Sequence, residues 1–396
     1  MSRLPTAVSA DKGGATNVKK LLSVFMVCGL MAASAVSCAG KGETSSATVE
    51  TTAAATTAEA ATETETEPAT EPTTKVTVEY YDGLICSDNM TEKEKERSSF
   101  REFTLLDPDK AFTIGKCGLN SYYFYDSDKS KLKKTKDNFR ELTIYDEQLD
   151  QQFLVHVTLP PNYDKEKEYP VVFITDSAYH LKKVPDLWKL IDDGEASPVI
   201  FVILGYDYDT REEEERFNKF ILQDKEFLDF ITDDLMKTIS LNYKVDASRS
   251  VFFGHSFGGV FSHYALCNSD KYDYQPFGSY IIGSPSFYAY FYPDMEYFDN
   301  SSIKDPYAFQ REFDYFDRNE TMDKNVLICA GGRENYYDFK APDDLPTIPE
   351  EAKLLHERLV SHGTNAELKI YEDCYHNNYL ADMLKDYLKQ NFPPEN

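Results

Sequence analysis

Ser250-Val251-Phe252-Phe253 runs straight into Gly254-His255-Ser256-Phe257-Gly258-Gly259, and Val260, Phe261, Tyr264 and Ala265 follow at helical spacing. The order is a β-rich apolar run, a glycine-flanked serine, then an amphipathic helix. A serine on such a strand-to-helix turn is held out on a crowded backbone, which is why its neighbours must be small. The helix that starts behind it favours developing negative charge. Gly-x-Ser-x-Gly alone is weak evidence, but strand, turn and helix in this order predict an exposed serine nucleophile at Ser256.

Outward from that turn, other short β-rich apolar runs recur: Phe153–Leu159, closed by Pro160-Pro161-Asn162, then Val171–Thr175, Val199–Leu204, Ser279–Ile282, Val326–Ala330 and Glu367–Tyr371. Segments of helical period separate most of them. Leu228, Ile231, Leu235 and Ile239 share one helix face; Ala352, Leu355 and Leu359 share another, behind a Thr347…Pro349 start and before a Gly363 stop. Buried strands alternating with helices predict an α/β fold, a mostly parallel sheet of about eight strands with helices on both faces. Sites in such sheets sit at the carboxyl ends of strands.

A serine hydroxyl needs a base. Of the seven histidines, His156 falls within a strand and His180 follows one. His263, His356 and His362 fall on or at the end of helices, and His255 neighbours the serine but points elsewhere along the turn. His376, in Tyr371-Glu372-Asp373-Cys374-Tyr375-His376-Asn377, lies in a loop after a late strand, where the base falls in the chain order serine, acid, histidine. The acid is expected between the two, just beyond a strand. Val326–Ala330 runs into Gly331-Gly332-Arg333-Glu334, which makes Glu334 the first candidate and Asp338 the fallback.

The N-terminal part speaks to location. Lys19 and Lys20 precede an apolar stretch from Leu21 to Ala35, then Ala35-Val36-Ser37-Cys38. This is a secretion signal over residues 1–37 rather than a spanning helix, and Cys38 after small residues resembles a bacterial lipobox, with Cys38 acylated. Ala35 stands where Leu is usual, and an ordinary signal peptide is the alternative. Residues 43–75 hold 12 Thr, 8 Ala and 7 Glu, too little apolar surface to fold, so 38–75 is expected to be a disordered tether from the membrane. Residues 76–137 are expected to be an N-terminal extension packed on the main domain of 138–396. A net charge of −26 argues against nucleic acid as a partner, because phosphate binding draws on Lys and Arg. Cys86 and Cys117 are available for a disulfide in an exported chain; Cys267, Cys329 and Cys374 are expected to be small buried hydrophobes.

Residues from about 138 to 393 resemble the putative-esterase family of α/β-hydrolases, whose members include siderophore, feruloyl and acetyl-xylan esterases, S-formylglutathione hydrolases and mycolyltransferases. The matching pieces are Leu159-Pro160-Pro161-Asn162-Tyr163-Asp164, Tyr169–Asp176, the Gly254–Gly259 turn, Gly283-Ser284-Pro285-Ser286, Gly332-Arg333-Glu334 and His376. The resemblance implies an α/β-hydrolase fold, supports Glu334 as the acid, and places an oxyanion-hole amide just after Thr175. Relatives commonly carry Asp-Gly there and this chain has Asp176-Ser177, so the implied donors are the backbone N–H groups of Ser177 and Phe257. It also implies a pocket drawn from Asp176, Tyr179, His255, Ser284, Phe287, Tyr288 and Arg333. Where relatives often show Trp after the second serine, this chain has Phe287.

No H-E-x-x-H, no Cys/His zinc spacing and no phosphate-binding Lys loop occurs in the sequence, so no cofactor or metal is expected. The expectation is a surface-tethered serine esterase acting on a small-molecule or oligosaccharide ester. Acylated polysaccharide fragments come first as substrate, with the aromatic Phe287–Tyr292 run available to hold an aryl acyl group. Siderophore triesters come second, and a non-catalytic binding lipoprotein third.

Overall fold

The computed structural model describes residues 103–112, 124–206, 208, 212–291, 302–303, 305–334 and 345–394. Cys38, the signal and tether, Cys86, Cys117, Tyr292 and Asp338 lie outside the described residues. Nine strands form one sheet: β1 (Thr104–Leu105), β2 (Phe139–Asp146), β3 (Gln151–Thr158), β4 (Val171–Ile174), β5 (Ile200–Tyr206), β6 (Val251–His255), β7 (Ser279–Gly283), β8 (Asn325–Gly331) and β9 (Asn365–Tyr371). Their spatial order is β1-β2-β3-β5-β4-β6-β7-β8-β9. Pairings up to β3–β5 are antiparallel and all the others are parallel. The ninth strand is the two-residue β1, by which the segment before residue 138 adds an edge to the sheet. Helix α1 (Asp126–Thr135) of the same segment buries Leu132, and its Lys131 pairs with Asp186 at 2.7 Å.

The central strands are apolar throughout because both faces are covered. Phe173 and Phe252 face one layer, with Phe261 and Phe277; Val172, Ile174, Val251 and Phe253 face the other, with Leu187 and Leu384. The period of two in a strand thus sends alternate side chains into two separate cores.

The helix expected around Leu228–Ile239 is not one regular α-helix. A π-helical turn, Phe230–Leu235, separates Asp224–Asp229 from Met236–Asn242. All four expected residues are nevertheless buried, since a π turn shifts the stripe without dissolving it. The later helix, Ile348–Ser361, starts and stops as its sequence indicates. Thr347 and Glu350 form a capping box, Pro349 sits in the first turn, and Gly363 follows at φ 78°.

β4 lies between β5 and β6, so the chain winds outward in both directions from it. That switch point opens a crevice at the carboxyl ends of β4 and β6, which are Ile174 and His255. No helix among the described residues is long and apolar enough to cross a membrane.

Candidate active site

Ser256 stands at the exit of β6 with φ 61° and ψ −120°, ahead of the helix Phe257–Asn268. A non-glycine residue holds that conformation only where its surroundings dictate it. Three glycines show how. A Cβ on Gly254 would lie 1.8 Å from the Gly258 carbonyl oxygen, one on Gly258 2.6 Å from Thr175 Oγ1, and one on Gly259 2.4 Å from the Gly283 oxygen. The turn therefore closes on itself and presses against the exits of β4 and β7. Ser256 N–H donates to Gly283 O at 2.9 Å, and Ser286 N–H donates to Ser256 O at 3.3 Å. The serine hydroxyl has Ser286 Oγ as its hydrogen-bond partner, at 3.3 Å.

At the exit of β8, Glu334 Oε2 accepts from His376 Nδ1 at 2.6 Å. Because a carboxylate only accepts, Nδ1 carries the proton and Nε2 keeps its lone pair. The second carboxylate oxygen accepts from Ser284 Oγ at 2.6 Å and from the Gly331 N–H. Tyr379 OH lies 2.6 Å from Ser284 Oγ and donates to it. Glu334 is 6% exposed, so this ring of donors is what keeps a buried carboxylate tolerable. Gly331 and Gly332 let the acid and the histidine loop meet. A Cβ on either would fall within 2.8 Å of backbone in Cys374 or Glu372. His255 packs its ring 4.5 Å from that of His376 and donates Nε2–H to the His376 carbonyl at 2.8 Å. Burial above all pushes the His255 imidazole well below the usual histidine range, so it stays a neutral strut.

Beyond β4, the left-handed backbone falls on Asp176, at φ 64°, while Ser177 begins a short helix with ordinary φ. Ser at the position where relatives have Gly is thus compatible with the turn. The room for its side chain comes from Gly205 of β5, where a Cβ would lie 2.4 Å from Ser177 Cβ. Ser177 Oγ lies 3.2 Å from His156 Nδ1, and His156 Nε2 lies 3.6 Å from Glu141 Oε2. This second serine–histidine–glutamate row is sealed, with Ser177 and His156 at most 1% exposed, so the Ser177 hydroxyl is kept for His156 and is no nucleophile.

The pocket expectation needs correcting at four residues. Asp176, His255, Ser284 and Phe287 are 4% exposed or less and are taken up by Arg216, His376, Glu334 and Phe309 respectively. They build the walls' backing rather than the walls. Tyr179 and Tyr288 are half-buried, against the Arg216 guanidinium and the Phe257 ring respectively. Arg333 is exposed and tied to Asp373 at 2.6 Å. Cys267 and Cys329 are buried thiols, and burial pushes Cys329 up to about 12. Among the described residues no group of three or more His, Cys, Asp or Glu could hold a metal ion.

Sequence reasoning did not single out Ser286, Tyr379 or Arg216. Ser286 lay in the quoted Gly-Ser-Pro-Ser run. Tyr379 follows His376 closely, so a search for a polar residue near the base would have reached it. Arg216 has no local signal.

Residues 147–393 match the family model described as putative esterase. A curated relative, ferri-bacillibactin esterase BesA of Bacillus subtilis (strain 168), is 26% identical over 134 residues, 33% of this chain and 40% of the relative. This chain thus aligns with less than half of that relative's length. Among solved structures, a BES protein from Bacillus cereus has a TM-score of 0.49 at 19% identity, covering 64% of this chain and 96% of that one. Siderophore hydrolase EstA from Aspergillus nidulans has a TM-score of 0.48 at 17% identity, covering 63% and 93%.

Proposed function

The chain belongs to the putative-esterase family and is an esterase, and from that premise we propose that it hydrolyses carboxylic esters through Ser256, His376 and Glu334. The observation that carries this reading is the Glu334–His376 hydrogen bond at 2.6 Å, beside a serine held on a strained elbow. Glu334 fixes the tautomer that leaves Nε2 free to act as a base. His376 takes the proton of Ser256 Oγ as that oxygen attacks the ester carbonyl. The serine first leaves Ser286, a rearrangement expected as substrate completes the site. The oxyanion is held by the N–H groups of Phe257 and Ser177. On collapse, His376 gives its proton to the leaving alcohol. Water, deprotonated by the same imidazole, then attacks the acyl-enzyme, and Ser256 recovers its proton.

As substrate class we favour siderophore-type triesters, supported by the name of the curated relative. The polysaccharide reading drew on the Phe287–Tyr292 run, of which the Phe287 ring is stacked on Phe309 and fully buried. We also propose that Cys38 is acylated and holds the enzyme on the outer face of the cell membrane, as its lipobox-like context suggests. Cys38→Ala should then release the protein into the medium.

Ser256→Ala tests the chemistry, with p-nitrophenyl acetate, methyl ferulate, acetylated xylan and a catecholate triester as substrates. The expected result is loss of hydrolysis with an unchanged fold, the triester being the best substrate of the wild type. Residual turnover within about tenfold of wild type removes Ser256 from the mechanism.

A further inference from the structure

Arg216 belongs to a helical segment with no catalytic motif, yet it is buried, 7% exposed, and its side chain reaches both strand exits that build the site. Its Nε donates to Asp176 Oδ1 at 2.6 Å and its Nη2 to Asp176 Oδ2 at 3.2 Å. Nη2 also reaches the His255 carbonyl, the residue just before the nucleophile, at 3.5 Å. Tyr179, Phe257 and Phe220 set their rings around the guanidinium at 4.8, 5.5 and 5.8 Å. One cation therefore spans the end of β4 and the end of β6, where their loops meet.

Two features of Asp176 need such a cation. Its backbone is left-handed, at φ 64°, and it sets the direction of the next peptide, which carries the Ser177 N–H. Its carboxylate also lies close to the elbow, since a Cβ on Gly258 would sit 3.0 Å from Asp176 Oδ2. A buried negative charge there, left unpaired, would oppose an oxyanion forming between the Ser177 and Phe257 amides. A planar fork that grips both carboxylate oxygens fixes the loop and cancels the charge together, which an ammonium does less well.

We infer that Arg216 is a positioning residue for the oxyanion hole, acting through Asp176 and the His255 carbonyl. The inference rests on the serine-esterase reading above. It concerns transition-state stabilisation rather than substrate capture, so kcat should fall while KM holds.

The test compares wild type, Ser256→Ala, Arg216→Gln, Arg216→Lys and the double variant Arg216→Gln/Asp176→Asn. Readouts are kcat and KM for p-nitrophenyl acetate, and the affinity of a methyl trifluoromethyl ketone, whose adduct with Ser256 carries the oxyanion. Melting curves identify folded variants. Arg216→Gln should lose roughly 10- to 100-fold in kcat, with inhibitor affinity falling in parallel and KM within about threefold. Removing the Asp176 charge as well should recover at least about a third of that loss, because the charge then needs no partner. If Arg216→Gln does not fold, Arg216→Lys carries the test, with a drop of about fivefold or more in both kcat and inhibitor affinity expected. Folded variants with both quantities within about threefold of wild type overturn the role, as does a loss confined to KM. Wild type that hydrolyses nothing, or Ser256→Ala that hydrolyses equally well, overturns the serine mechanism and Arg216's part with it. An active wild type with a dead Ser256→Ala leaves the mechanism standing whatever Arg216 does.

Discussion

Glu334 Oε2 lies 2.6 Å from His376 Nδ1, while its other oxygen lies 2.6 Å from Ser284 Oγ. The acid is thus clamped from both sides before any substrate arrives. Glu334→Gln keeps the shape but offers either an amide oxygen or an N–H to the imidazole, so the tautomer is no longer dictated. The expected cost is about 10²- to 10⁴-fold in kcat with little change in KM. Asp338→Asn should cost less than about tenfold. Steady-state kinetics on both variants decide the matter, and the reverse ranking would move the role to Asp338.

Tyr379 to Ser284 to Glu334 is a relay of two hydrogen bonds behind the acid, each at 2.6 Å. Ser284→Ala removes the donor that holds Oε1 and strands the buried Tyr379 hydroxyl, so it should slow kcat by roughly 5- to 50-fold. Tyr379→Phe leaves Ser284 free to keep its bond to the carboxylate and should cost less than about fivefold. Equal losses in the two would mean that Ser284 holds the carboxylate only while Tyr379 holds Ser284.

The elbow and the strand-to-loop step into Glu334 were legible because each is local: a few residues carry strand, turn and small neighbours. His376 was legible by elimination, as the loop histidine after a late strand. The pocket was not, because which side of a loop faces the crevice depends on partners far away in sequence. Ser284 and Phe287 read as pocket residues until Glu334 and Phe309 claimed them. Arg216 was invisible for the same reason, since its partner Asp176 lies 40 positions away. The π turn at Phe230–Leu235 escaped because it preserves the apolar spacing that a helix shows. The two-residue β1 escaped because so short an edge strand has no periodicity to read.

Glu351 is 4% exposed and its Oε2 lacks a hydrogen-bond partner. Burial pushes its carboxyl up to about 7 from 4.5, against the opposing pull of Arg358. A raised pKa means that the folded state binds the proton more tightly than the unfolded one. Its contribution is therefore present in full below pH 4.5 and is lost as pH rises through about 7. Glu351→Gln removes that titration while keeping the shape. Its melting temperature should exceed that of wild type by roughly 2–6 °C at pH 8, and the gap should close by about pH 5. A gap that widens on acidification would show that the carboxyl is charged and paired in the fold.

The last prediction separates space from stability by placing the same methyl group at two glycines. A Cβ on Gly331 would lie 2.5 Å from the Cys374 carbonyl oxygen and 2.9 Å from that of Tyr375. Both are backbone atoms of the loop that presents His376, and neither can swing aside as a flexible side chain would. The loop must move outward, and it carries the imidazole away from Glu334. Gly331→Ala should therefore lose about 10²-fold or more in kcat, since small displacements of a catalytic base are that costly. Overpacking of this kind costs about 1–3 kcal/mol, a fall of several degrees in Tm. Gly363 has φ 78° and nothing within 4 Å of a would-be Cβ, so its penalty is backbone strain alone. Gly363→Ala should lose about 1 kcal/mol or somewhat more and keep full activity. Measured together, kcat and Tm should both fall in the first variant and only Tm should move in the second. Full activity in Gly331→Ala would mean that the histidine loop can retreat without carrying His376 along, and that the close seating of the Gly331-Gly332 pair serves only the strand.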